Sequence, residues 1–262
     1  MTSIPSPSLD LSAPPRVRRI TQADLKWALD EGWKDFKAKR GDILVLAVLY
    51  PLIGFIAAVM FLNDALFPLF FPVVAGLSVM GPAVAAGYYE IARRREQGLD
   101  SSWLHFFDPM RGRSRSGLVF LTLMLAGIFV AWLAAAYAIY AVTVGASTPM
   151  TAGNALERIF TTPEGWAMLI AGNLVGLGFA VVTLVLTLVS FPMVVDRPVD
   201  AVTAVDTSIR AVKLNPATTA AWGLRVAVLL VLGALPVFIG LAVVLPVLGY
   251  ATWHLYTRLV ER

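Results

Sequence analysis

Three ionisable residues sit inside otherwise apolar runs: Glu90, Arg225 and His254. A charge within a bilayer is costly, so such residues normally pair with one another or mark an ion, proton or headgroup site. Glu90 and His254 each follow a proline at the same interval, Pro82 and Pro246. That shared register would bring them, with Arg225, to one depth near one membrane face. The chemistry open to such a cluster is proton or ion handling, or capture of an anionic headgroup. The plainer reading is an interhelical ion pair, with Arg225 reaching the interface along its aliphatic stem.

The remaining candidates concern packing and surfaces. Gly172 and Gly176 form a GxxxG pattern that lets helix backbones approach, and Asn173 between them could bond a neighbouring helix. Lys26, Lys34, Lys37, Arg93, Arg94 and Arg95, with Trp33 and Trp103, suit a lipid surface: cations at anionic headgroups, aromatic rings dipping into the interface. No HExxH, GxSxG or P-loop sequence occurs. The absence of cysteine excludes thiolate metal sites and cysteine nucleophiles. With two histidines, a multi-histidine haem centre is excluded as well. The chain is therefore expected to be no enzyme, to carry no cofactor or metal, and to bind no nucleic acid.

The elements that must position these residues follow from composition. Of the 262 residues, 58% are hydrophobic and 15% charged. The mean hydropathy of +0.75 is too apolar for a water-facing surface. Long continuous apolar runs favour helices over a barrel, since helices satisfy their own backbone in lipid. The expected fold is an all-α polytopic bundle of six spans, near 43–62, 66–91, 117–142, 166–195, 218–235 and 237–259, as a single domain over 20–262. Residues 1–19 are Ser/Pro-rich and read as a disordered tail. No apolar leader segment is expected before the first span.

Orientation comes from charge. Of 21 Lys and Arg residues, only Arg158 falls on one side of this topology; the rest gather on the other. The positive-inside rule then places both ends in the cytoplasm. It also explains the net charge of +4 without a nucleic-acid partner.

A spacing recurs before spans one, three and five. Leu29-Asp30 precedes Trp33 and Phe36; Leu99-Asp100 precedes Trp103 and Phe106; Val205-Asp206 precedes Ile209 and Val212. Prolines recur in the second span of each pair: Pro82, Pro192 and Pro246. The pattern predicts three units, each an amphipathic cytoplasmic surface helix plus a two-span hairpin. Further helices are expected near Pro198–Leu214, with Pro198 in its first turn, and in the loop near Ala155–Phe160. The first amphipathic helix is expected to start at a Thr21 cap with Asp24 in the capping-box position, and its apolar stripe is Leu25, Leu29, Gly32 and Phe36. Trp166, Trp222 and Trp253 fall near span ends, as interfacial tryptophans should.

Several stretches together resemble a known family. They are Ile20–Phe36, Gly81-Pro82 through Tyr88-Tyr89-Glu90 to Gly98, Phe191-Pro192 through Asp196-Arg197, Lys213-Leu214-Asn215-Pro216, and Leu245-Pro246 through Tyr256. The resemblance is to family 2189 of the domain-of-unknown-function series, predicted bacterial integral membrane proteins. It implies a multi-pass protein of the bacterial inner membrane and transfers no activity. Two functions stay open at this point. One is a non-enzymatic scaffold, accessory or lipid-organising protein, with the bilayer, its anionic headgroups and an unidentified protein as partners. The other is a small solute or ion transporter with a polar site near the cytoplasmic face.

Overall fold

The computed structural model describes residues 15–38, 56, 59–63, 65–146, 150–151, 153–235 and 239–262. Among them every regular element is a helix, and the one extended pairing is an isolated antiparallel bridge, Val17 to Val260.

Helix α1 (Gln22–Ala38) begins where the sequence places its cap. The Asp24 carboxylate accepts from the Thr21 backbone N–H and hydroxyl, both at 2.8 Å. Its buried stripe is Leu25, Ala28, Gly32 and Asp35, rotated from the expected Leu25, Leu29, Gly32 and Phe36. Ala28 and Gly32 are small, so this face admits a close neighbour.

Helices α2 (Phe70–Leu77) and α3 (Gly81–Glu96) form one long run, broken at a 3-10 turn, Ser78–Met80, just before Pro82. Helix α4 is Arg115–Val142, and α5 (Ala155–Thr161) is a short loop helix, as expected. Helix α6 (Pro163–Thr187) continues after a break into α7 (Ser190–Asp196). Ser208 is built into that break. Its hydroxyl donates to Val185 O at 2.8 Å and accepts from Val189 N–H at 3.2 Å, standing in for the helical bond that Val189 would have made. Ser208 comes from α8 (Ala201–Leu214), followed by α9 (Pro216–Ala234) and α10 (Leu241–Leu259). Helix α8 starts later than expected. Asp200 is its N-cap, accepting from Thr203 N–H at 2.9 Å, and Pro198 lies outside the helix.

Among the described residues, four stretches are long and apolar enough to cross a membrane: Phe67–Glu96, Arg115–Val142, Pro163–Asp196 and Pro216–Ala234. Six were expected. The first, near 43–62, lies mostly outside the described residues. The sixth corresponds to α10, whose Thr252, His254 and Arg258 make it too polar to qualify by composition. Helix α10 is a central pillar, with Tyr250, Trp253 and Tyr256 fully buried. Trp253 and Trp222 are therefore core residues rather than the interfacial anchors their positions near span ends suggest, and Trp166 is half exposed.

At the charged end of the bundle the elements interlock in a ring. Helix α1 packs on α10, the 3-10 helix Trp103–Met110 packs on α3, and α8 packs on α6 and α7. The second and third recurring elements lean on the helix that ends the hairpin before them, α1 leans on α10 from the far end of the chain, and α3, α7 and α10 meet one another inside the ring. Residues 15–19, which the sequence assigns to a disordered tail, are ordered. Arg18 N–H donates to Leu259 O at 2.8 Å, and Glu261 N–H to Arg16 O at 3.0 Å, so this segment is fastened beside the end of α10.

Candidate functional site

The charged end carries three linked polar clusters, each positioned by a helix terminus. The first is at the end of α3. Glu90, with its side chain 6% exposed, accepts two bonds from Arg93, at 2.7 and 2.9 Å, and lies 3.5 Å from Arg94. The bidentate geometry is the stronger kind of carboxylate–guanidinium pair. Arg94 reaches on to Asp108 at 3.6 Å and to the backbone carbonyl of Asp100. The chain turns here through a Schellman cap. Gly98 has φ +68°, Leu99 N–H bonds Arg94 O, and Gly98 N–H bonds Arg95 O.

The second cluster joins three elements. Asp35 of α1, buried, takes Arg95 of α3 at 2.8 Å and His254 of α10 at 2.8 Å. The Trp27 ring meets His254 edge-on at 5.6 Å, with the Arg258 guanidinium 4.0 Å above Trp27. The third closes the opposite side. Asp196, at the end of α7, accepts from the Tyr256 hydroxyl at 2.7 Å and lies 3.6 Å from Arg262, which also binds Glu96.

The expected convergence of Glu90, Arg225 and His254 is not what these partners show. Glu90 goes to Arg93 and Arg94, and His254 to Asp35. Arg225 donates to Gln22 Oε1 at 2.9 Å and to Ala221 O of its own helix. Asp35 and Asp196 are the residues that sequence reasoning missed. An acid three residues past Gly32, on the small-residue face of α1, is a readable signal for the former.

The other candidates are also redistributed. Gly172 faces open space, and Asn173 donates to Leu169 O of its own helix, so only Gly176 packs, against the Trp132 ring. Arg93, Arg94 and Arg95 face protein carboxylates rather than lipid. Lys26 pairs with Asp30 and Lys34 with Glu31 on the exposed side of α1, where Lys37 lies 5.8 Å from the half-exposed Trp33 ring. Trp103 turns inward, onto Tyr88 and Phe106.

A cleft of about 230 Å³ opens between these clusters, lined by Glu90, Arg93, Arg94, Asp108, Asp196 and Arg197 among others. Glu90 pairs there with Arg93 and Arg94, Arg94 with Asp108, and Asp196 with Arg197, while Arg113 at the rim makes no ion pair among the described residues. Among the described residues no group of three His, Cys, Asp or Glu side chains is placed to hold a metal ion. Chemically, the layer pairs charges within α3 through Glu90 and fastens elements to one another through Arg94–Asp108, Asp35 and Asp196.

His105 is a histidine of this end whose titration its neighbours shift. The Asp108 carboxylate at 2.6 Å raises it above its ordinary value of 6.5, helped by Asp100 at 3.1 Å and opposed by burial and by Arg94. Reciprocally, the His105 bond lowers Asp100 below 3.8. A base whose folded value is raised stabilises fully below its unfolded value, and that stabilisation is lost as pH rises through the folded one. Unfolding midpoints in detergent should therefore fall from just below pH 6.5 upward, and His105→Gln should flatten that part of the profile. An unchanged slope in the variant would exclude His105 as its source.

Residues 70–196 match the family described as "Predicted integral membrane protein (DUF2189)", the one the sequence resembles. No curated protein and no solved structure matches the chain. The chain is an integral membrane protein with several apolar helices.

Proposed function

We propose that this protein is a non-enzymatic scaffold, accessory or lipid-organising protein of the bacterial inner membrane, with its charged end in the cytoplasm. The supporting observation is the disposition of charge. Acids and bases at that end are matched within α3, between α1 and α3, and between α7 and Arg262 just beyond α10, while the membrane-crossing stretches turn apolar residues such as Leu123, Val130, Leu174 and Leu224 outward. A polar path for a solute needs unpaired polar groups along the spans. A rigid platform needs the opposite: paired charges that lock helix ends and leave outer faces for lipid and protein neighbours. The excess of Lys and Arg at the charged end supports the sidedness.

The test is extraction of the full chain in mild detergent and measurement of the mass it migrates with. A scaffold should leave the membrane in a stoichiometric complex larger than the 28.3 kDa chain with its detergent. Elution as a lone chain under every mild condition would overturn the reading.

A further inference from the structure

The 3-10 helix Trp103–Met110 has three distinct faces. In a 3-10 helix residues three apart eclipse, so the eight residues stack in rows. One row, Trp103, Phe106 and Pro109, turns toward α3, with Phe106 and Pro109 buried. A second, His105 and Asp108, faces the first polar cluster. The third row is Leu104, Phe107 and Met110. These are 84%, 58% and 46% exposed, and nothing in the ring of helices covers them.

A chain that buries one apolar row and satisfies one polar row has no folding reason to make the third apolar. Directly after this row come Arg111, Arg113 and Arg115, all exposed, with no ion pair among the described residues. They contrast with Arg93, Arg94 and Arg95, each tied to a protein acid. Arg115 is the first residue of α4, so the three cations sit at the point where this helix enters the membrane.

We propose that the Leu104–Phe107–Met110 row lies in the headgroup–acyl boundary of the adjoining leaflet, and that Arg111, Arg113 and Arg115 hold anionic phospholipid against it. The occupant is lipid rather than protein because of position and charge. The row lies between the end of one membrane-crossing stretch and the start of the next, at the level where an amphipathic segment settles into a bilayer surface. The cations beside it complement phosphate headgroups. The proposal rests on the reading of the chain as membrane-spanning and deepens the lipid-organising part of the proposed function, independently of any protein partner.

The chain contains no cysteine, so Leu104→Cys gives a single attachment point for an environment-sensitive fluorophore. The full chain would be reconstituted in vesicles of phosphatidylcholine, with and without phosphatidylglycerol, containing lipids brominated on their acyl chains. The label should be quenched by brominated lipid, and more strongly when the brominated species is phosphatidylglycerol. Neutralising Arg111, Arg113 and Arg115 with glutamine should lower that preference by roughly fivefold per arginine. In a second labelled variant, Phe107→Asp with Met110→Asp should release the label into water without moving the unfolding midpoint, since both side chains point outward. Quenching by aqueous iodide and indifference to brominated lipid would overturn the proposal. So would a label shielded from both, which would mean that a protein surface or a second copy covers the row. These outcomes do not depend on the mass of the extracted complex, so failure here and failure of the scaffold reading are distinguishable.

Discussion

Glutamine in place of Glu90 should destabilise the protein by about 3 kcal/mol, because it leaves two guanidinium groups half-buried without their shared anion. The Arg93 and Arg94 side chains are 22% and 19% exposed, and Glu90 only 6%. None of the three can recover full hydration by a small movement. Glutamine keeps the volume and one acceptor, but its amide N–H₂ points donors at donors. For a chain of this size the cost corresponds to an unfolding midpoint lower by roughly 6–12 °C. Asp206→Asn is the matched comparison. Asp206 pairs with Arg210 in an exposed i,i+4 arrangement on α8, and its loss should cost about 0.5 kcal/mol or less. Thermal unfolding in one detergent, read by intrinsic tryptophan fluorescence, checks both. An undiminished midpoint for Glu90→Gln would mean that the pair contributes nothing net. If Glu90 served solute flux, the variant would be stable and inactive; a fastener predicts an unstable one.

The outline of this layer was legible in the sequence, and its wiring was not. Apolar runs located the four membrane-crossing stretches to within a few residues, because composition and length dominate in lipid. The Thr21–Asp24 cap and the loop helix at Ala155–Thr161 were readable for a similar reason, since local bonds decide them. Helix α10 shows where hydropathy is ambiguous, since it fills the centre of the ring with Tyr250, Trp253 and Tyr256. Hydropathy does not separate a lipid-facing aromatic from a core one. The same ambiguity exchanged Trp103 for Leu104 on the 3-10 helix: spacing marks a stripe, but which row faces the protein depends on what stands opposite. Glu90 and His254 share a register after their prolines, yet they point to different neighbours. Arg93 and Arg94 lie within one turn of Glu90 and claim it first, while Asp35 arrives from a helix more than 200 residues away in sequence from His254.

The contact that brings Asp35 there depends on one missing side chain. A Cβ on Gly32 would stand 2.7 Å from Ala251 N, 2.8 Å from Val247 O and 2.9 Å from Ala251 Cα. All three are backbone atoms of α10, so no rotamer change can relieve the clash, and the two helices must part. Gly32→Val should therefore cost about 3 kcal/mol or more, at the upper end of overpacking penalties. Asp35 lies less than a turn further along α1, and separation would also stretch its 2.8 Å bonds to His254 and Arg95. Intrinsic helix propensity works the other way, since valine is a slightly better helix former than glycine, by a few tenths of a kcal/mol. The sign of the result thus decides between packing and propensity. Because the obstructing atoms are main chain, truncating Ala251 to glycine should not rescue the variant, which distinguishes this clash from an ordinary side-chain collision. Limited proteolysis of the detergent-solubilised protein gives the local readout. Gly32→Val should expose α1 to cleavage well below the temperature at which tryptophan fluorescence reports loss of the bundle, whereas Lys26→Val, on the exposed face, should leave α1 as resistant as in the parent chain. Equal resistance in Gly32→Val would show that α1 is not held by its close approach to α10.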